Sequence, residues 1–388
     1  MSLRLTSLSC YRGPKPVVVL GPLLAVGLGL ASPDRPAGSN GRVPLPAEMA
    51  VRINCVQFAP WSRIQLATGS DDGTVRLWDL EKKKVLVTLN IGDGLSAECM
   101  LPFAQQFLLI GCAEMGRPLG PVRRVEVQLW NLERQQKVST FKGPSNPIRG
   151  MCLAVDRKTL AVTDGSRELR LYDMVTFDSK QVLRCDAPIQ AMTRVGQTNK
   201  VAIVSSDGSV SLCDLNAPKL ERLKWSSSLA DADRHSLRLA PTTLSNEKSN
   251  QVAAIACCVA PALRDQRRET PIILLDVQRD REIGTLGKES ENCHALVVSV
   301  DGKVMVTAHA DGLLRVWNPR AEQVLASVRL EGIVPDCPSS QGLSLSHDGK
   351  YLATIHRALR EDEPRPRRQP VLTVWDVDVL TGVRPPVR

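Results

Sequence analysis

Seven times along this chain an apolar run ends in a bulky residue followed by Asp or Asn: Trp78-Asp79, Trp130-Asn131, Tyr172-Asp173, Cys213-Asp214, Leu275-Asp276, Trp317-Asn318 and Trp375-Asp376. Recurrence of this kind constrains the fold more than any other feature, because each unit must stack on its neighbours to bury its apolar face. Three of the intervals fall near the ~40–45 residues of a four-stranded unit, and three are longer by an insertion. Four of the chain's six Trp residues occupy this one position.

Upstream of the anchors the pattern deepens. In Leu66-Ala67-Thr68-Gly69-Ser70-Asp71-Asp72-Gly73-Thr74-Val75-Arg76-Leu77-Trp78-Asp79 the Val75, Leu77 alternation has the period of a half-buried strand. The Asp72-Gly73 pair marks a tight turn between two strands. It returns as Asp207-Gly208 and Asp311-Gly312, and in looser form as Asp164-Gly165. A second turn, Asp301-Gly302-Lys303 or Asp348-Gly349-Lys350, sits one strand earlier, and Lys84 to Leu89 reads as a fourth strand. The expectation is an all-β chain, a seven-bladed β-propeller of four-stranded antiparallel blades.

These residues resemble the WD-repeat (transducin beta-like) family over roughly residues 50 to 380. The resemblance implies that the turn Asp (Asp72, Asp207, Asp311) joins a hydrogen-bond network with a strand Ser or Thr, the anchor Trp and a His from an upstream Gly-His pair. That pair is absent from every copy: Gly143-Pro144 stands near one such site and Cys185-Asp186 at another. The chain reads as a divergent member. Resemblance also implies that a segment before residue 51 closes the last blade, with Arg42-Val43-Pro44-Leu45 and Pro16 to Leu20 as candidates.

The propeller is expected over residues 49–388, after an extension at 1–48. The first 33 residues have no Asp or Glu, and an apolar run from Val17 to Ala31 is broken by Gly and Pro. That segment reads as a disordered or closing extension, a mitochondrial presequence, or a secretory signal; it is too interrupted for a membrane span. Cytoplasmic or nuclear residence is expected, mitochondrial being the alternative.

Nothing in the pattern calls for catalysis. The eleven cysteines are scattered through apolar runs without metal-ligand spacing. They read as small buried hydrophobes. The five His residues lie in separate contexts, with His309 placed for a structural hydrogen bond. No nucleophile elbow, phosphate loop or dinucleotide fingerprint occurs. The chain is read as a non-enzyme without cofactor, metal or small-molecule substrate.

Function is instead expected where residues have been added. Three insertions fall between the second and third strands of a unit, and they are rich in Arg: Arg117, Arg123 and Arg124; Arg264, Arg267 and Arg268; and Arg357, Arg360, Arg365, Arg367 and Arg368. Consecutive strands run antiparallel, so equivalent connections emerge on one face. With a net charge of +9, that face suits a carboxylate or phosphate. The leading expectation is a protein-interaction scaffold that docks an acidic peptide or subunit. One alternative is a nucleic-acid-associated propeller of a ribonucleoprotein, although these loops have no stacking aromatics. Another is a ubiquitin-ligase substrate adaptor, from the partial motif Trp317-Asn318-Pro319-Arg320.

Overall fold

The structure is a computed structural model describing residues 6–8, 53–62, 64–82, 84–115, 121–196, 198–224, 237–245, 251–259, 272–276, 279–286, 293–299, 302–309, 313–319, 323–329, 342–359 and 368–377. Among them the strands form seven four-stranded antiparallel sheets, six built from consecutive strands. Blade 1 comprises Ile53–Phe58, Gln65–Ser70, Thr74–Asp79 and Lys84–Asn90; blade 2 comprises Leu95–Phe103, Phe107–Met115, Val122–Asn131 and Gln136–Phe141. Blade 3 runs through Gly150–Leu153, Thr159–Thr163, Glu168–Asp173 and Ser179–Arg184, and blade 4 through Ile189–Arg194, Lys200–Ser205, Val210–Asp214 and Leu220–Arg222. Blade 5 has Leu237–Ser245, Gln251–Val259, Ile272–Asp276 and Arg281–Leu286; blade 6 has Cys293–Val298, Met305–His309, Leu313–Asn318 and Gln323–Arg329. In blade 7, Leu343–Leu345, Tyr351–Leu359 and Arg368–Asp376 are completed by Thr6–Leu8.

The innermost strand of each blade touches that of the next, and Leu343–Leu345 returns against Ile53–Phe58 of blade 1. There the Phe58 N–H donates to Ser344 Oγ at 2.9 Å. The core lies between blades rather than within them. One cluster joins Val56, Phe58, Leu66 and Trp78 to Ala353, Leu372 and Val374, closing blade 1 on blade 7. Another joins Ala67, Val75 and Leu77 to Leu95, Ala97 and Leu108 across blades 1 and 2. With only 4% aromatic residues, the inner packing relies on small groups. A Cβ on Gly69 would stand 2.6 Å from Cys55 Sγ, and one on Gly111 would stand 2.7 Å from Cys99 Sγ. Burial pushes the Cys99 and Cys112 thiols well up, and Cys152 up to about 12. These thiols are protonated packing groups.

Closure is made by Thr6–Leu8, which pairs antiparallel with the third strand of blade 7: Thr6 opposite Val374, Ser7 opposite Thr373 and Leu8 opposite Leu372. The two candidate closing segments, Arg42 to Leu45 and Pro16 to Leu20, lie outside the described residues, and the observed edge partner is neither of them. No helix among the described residues is long and apolar enough to cross a membrane.

Candidate interaction face

The anchor pair has a division of labour. The aromatic ring enters the core while the following acid or amide caps the turn to the outermost strand. Asp79 Oδ1 accepts from Lys82 N (2.8 Å), Asn131 Oδ1 from Arg134 N (2.9 Å) and Asp276 Oδ1 from Arg279 N (3.1 Å). At the anchor itself the ladder to the outermost strand is bulged in blades 1, 2, 3, 5 and 6. A bulge of this kind re-aims a side chain without ending the pairing.

A buried indole N–H needs an acceptor. Trp78 Nε1 donates to Thr68 Oγ1 (2.9 Å), Trp317 Nε1 to Thr307 Oγ1 (2.8 Å) and Trp375 Nε1 to Thr354 Oγ1 (3.1 Å). Each Thr stands on the second strand, two residues beyond the residue opposite the Trp. In blades 2, 3 and 4 that place holds Ile110, Val162 and Ile203, and the anchors change accordingly. Trp130 Nε1 turns to Gln128 Oε1 (2.7 Å) on its own strand. Tyr172 donates its hydroxyl to the Lys142 carbonyl at 2.9 Å. Cys213 carries no strong donor. In blade 6 the Thr307 hydroxyl also lies 2.7 Å from Nε2 of the fully buried His309, so one hydroxyl can accept from Trp317 and donate to His309.

The turn acids are not part of these Trp–Thr contacts, contrary to what the resemblance implies. Asp72 Oδ1 accepts from Thr74 N (2.9 Å) and Thr74 Oγ1 (2.5 Å), while Oδ2 faces Arg76 (3.1 Å). Asp207 repeats the geometry with Ser209 N (3.0 Å) and Ser209 Oγ (2.6 Å). Each carboxylate caps its own turn, next to a glycine at φ 75 (Gly73) or 76 (Gly208), which an L side chain adopts only under strain. Asp311 lies outside the described residues.

Blade 3 replaces the missing Gly-His by main-chain donors. Asp164 Oδ2 accepts from Ser145 N (2.9 Å) and Asn146 N (3.2 Å), directly after Gly143-Pro144, and Oδ1 accepts from Ser166 N (3.1 Å). Burial alone would raise this carboxyl, but the Ser166 hydroxyl and these N–H groups outweigh it and hold it below the usual carboxylate range. Cys185 N donates to the Arg167 carbonyl (2.8 Å), and Ile189 N to that of Ser166 (2.8 Å). The turn is thereby tied to both neighbouring connections. It borders a pocket of about 410 Å³ lined by Ser145, Asn146, Asp164, Ser166, Arg167, Glu168, Arg184 and Cys185.

The hairpins between second and third strands rise to different heights. From the rung opposite the anchor, the second strand ends at Ser70 in blade 1, Thr163 in blade 3 and His309 in blade 6. In blades 2 and 7 it runs on to Met115 and Leu359. The excess over blade 1 is about three residues, roughly 10 Å of ladder. Two raised hairpins therefore flank blade 1.

This revises the expected placement of Arg123 and Arg124, which belong to the strand Val122–Asn131 and not to a loop. Both are matched within the blade. Arg123 faces Glu114 at 3.8 Å, and Arg124 bonds the nearly buried Glu126 through Nε (2.9 Å) and Nη2 (2.8 Å). Arg368 begins the last strand of blade 7. Arg117, Arg264, Arg267, Arg268, Arg360, Arg365 and Arg367 lie outside the described residues. Arg149, Arg167 and Arg184, on the same face at blade 3, stand outside the insertions, at or next to the ends of short strands, and have no sequence signal of their own. Among the described residues no group of three or more His, Cys, Asp or Glu is placed to hold a metal.

Comparison with known proteins agrees with this architecture. The family profile described as WD domain, G-beta repeat matches residues 47–79 and 281–318, the stretches ending at the first and sixth anchors. The chain is similar to U3 small nucleolar RNA-associated protein 5 of Saccharomyces cerevisiae, 24% identical over 118 residues, covering 28% of this chain and only 18% of the yeast protein. It is also similar to the Protein LST8 homolog of Drosophila melanogaster, 20% identical over 262 residues, covering 65% of this chain and 74% of the fly protein. The sheet arrangement, the recurring Trp–Thr bonds and the matched repeats together support a divergent WD-repeat propeller.

Proposed function

We propose that the chain is a non-catalytic scaffold, a closed seven-bladed ring that holds partner proteins in a multiprotein complex, in the cytoplasm or nucleus. The observation that carries this reading is the asymmetry of one face. Extra residues have been spent on raised hairpins at blades 2 and 7, where a fold without a face-specific task needs only the short turn of blade 1. The strands Phe107–Met115, Gln251–Val259 and Tyr351–Leu359 end on that same face, and the sequence that follows each of them supplies the arginines of this reading: Arg117, then Arg264, Arg267 and Arg268, then Arg360, Arg365 and Arg367. Arg123 and Arg124 reinforce the blade 2 hairpin from within, and an acidic peptide or subunit is the partner that the remaining charge favours.

The similarity to a U3 small nucleolar RNA-associated protein supports a second reading, in which the ring works inside a ribonucleoprotein particle and the arginines meet phosphates. Affinity purification of the full chain with mass spectrometry, with and without nuclease, separates the two. A scaffold that binds proteins directly retains its partners after nuclease treatment; loss of all partners assigns the ring to nucleic acid. Reversal of Arg267, Arg268, Arg367 and Arg368 to Glu is expected to release at least one partner, and full retention overturns the role of these arginines.

A further inference from the structure

We propose that the pocket at the rim of blade 3 is an oxyanion subsite that takes one carboxylate or phosphate group of an acidic peptide, with Arg167 as its principal contact. The proposal rests on the scaffold reading and names one place where that face would grip.

The charges around the pocket do not cancel. Asp164 is saturated by the N–H groups of Ser145, Asn146 and Ser166, and the Ser166 hydroxyl adds to them, so it is committed to holding the walls. Glu168 is the only other acid in the lining, and it faces two guanidinium groups: Arg170, in close contact, and Arg184 at 3.2 Å. One positive charge is left over from that triplet. Arg167, exposed on the turn, makes no ion pair among the described residues, and neither does Arg149. Arg149 lies across the same turn, so that a Cβ on Gly165 would stand 3.0 Å from its Cγ and 3.6 Å from its Nε. Arg149, Arg167, Arg170 and Arg184 thus outnumber the two acids, Asp164 and Glu168, by two around the pocket, and each guanidinium has the fork geometry that suits oxyanions.

The walls are also held before any ligand arrives. Bonds from Ser145 and Asn146 to Asp164, from Cys185 to the Arg167 carbonyl and from Ile189 to the Ser166 carbonyl lock three separate connections together. A site fixed in this way loses little ordering entropy on binding. Its volume, about 410 Å³, accommodates an acidic side chain with its flanking main chain.

Fluorescence anisotropy of the full chain with three labelled peptides of one sequence, carrying Glu, phosphoserine or Ser at the central position, tests this. Binding of the Glu or phosphoserine peptide is expected to exceed the Ser peptide by about ten-fold, to weaken with added salt, and to fall by about ten-fold in Arg167→Glu. The better of the two charged peptides identifies the oxyanion. Because only the Arg167 carbonyl is used by the fold, Arg167→Glu should melt at the wild-type temperature, and Arg149→Glu should give a smaller loss. Equal binding of all three peptides, or wild-type affinity in Arg167→Glu, overturns the proposal. Partners retained by Arg167→Glu in affinity purification would then leave the scaffold standing without this subsite. Arg167-dependent peptide binding by a chain that recovers no partner would do the reverse.

Discussion

Blades 1 and 2 stand side by side and bury the same anchor, yet they satisfy it by different means. In blade 1 the indole of Trp78 makes one bond to Thr68 on the neighbouring strand. In blade 2, Ile110 occupies the Thr position, and the bond is redirected along the strand. Trp130 donates to Gln128, Gln128 donates to Glu126 (2.6 Å) and to the Ile91 carbonyl (2.9 Å), and Glu126 receives Arg124. These residues alternate, so all four side chains share one face of the strand. Blade 2 has thus turned a single buried bond into a polar column that climbs from the core into its raised hairpin. The comparison teaches that the anchor and its acceptor change together. Where the second strand loses its Thr, the Trp either finds another acceptor or gives way to Tyr, Cys or, in blade 5, Leu.

The sharpest way to break this comparison is to cut the column. Gln128→Leu removes three hydrogen bonds and strands the Trp130 N–H and the Ile91 carbonyl, at ~1–3 kcal/mol each, so a loss of about 3 kcal/mol or more is expected in chemical denaturation. Thr68→Val strands only the Trp78 N–H and should cost about 1–3 kcal/mol. Equal losses at the two sites would mean that the column acts as no more than one bond. Tyr172→Phe removes a bond to a carbonyl near the surface, and a loss of about 1 kcal/mol or less is expected.

The smallest effect should be a pH dependence in blade 3. The Asp164 carboxyl is lower in the folded chain than its ordinary value of 3.8. Its stabilising contribution is therefore present above about pH 4 and is lost as pH falls through the folded value. Thermal melts of Asp164→Asn should run below wild type at neutral pH and converge with it in acid. A constant offset at every pH would assign the effect of this residue to packing instead.

Much of this was legible in the sequence because it is local. The anchors, the Asp-Gly turns and the alternating third strands each sit within a dozen residues, and turn chemistry at Gly73 or Gly208 leaves few alternatives. Gln128 was visible as a polar residue in an apolar run, but its role required knowing that Ile110 faces the same gap. The hairpin of blade 2 was cut short because Val122 to Val127 carries two consecutive arginines, which read as a loop until cross-strand pairing with Glu114 is seen. The pocket at blade 3 was invisible, since its residues come from three connections spread over Ser145 to Cys185. Thr6–Leu8 offers too short a pattern to single out, and its register depends on partners at the far end of the chain.

That last pairing has a consequence for synthesis. The strand that seals the ring leaves the ribosome before every other strand of the propeller, and its partners, Leu372, Thr373 and Val374, leave after the first six blades. Until those partners emerge the growing chain carries an outer strand with nothing to pair with, and sealing waits for the last blade. Contacts this distant in sequence are slow to form, and a nascent ring with two open edges presents unpaired backbone that can pair with other chains. The time for which such a ring stays open therefore includes the translation of everything between residues 8 and 372.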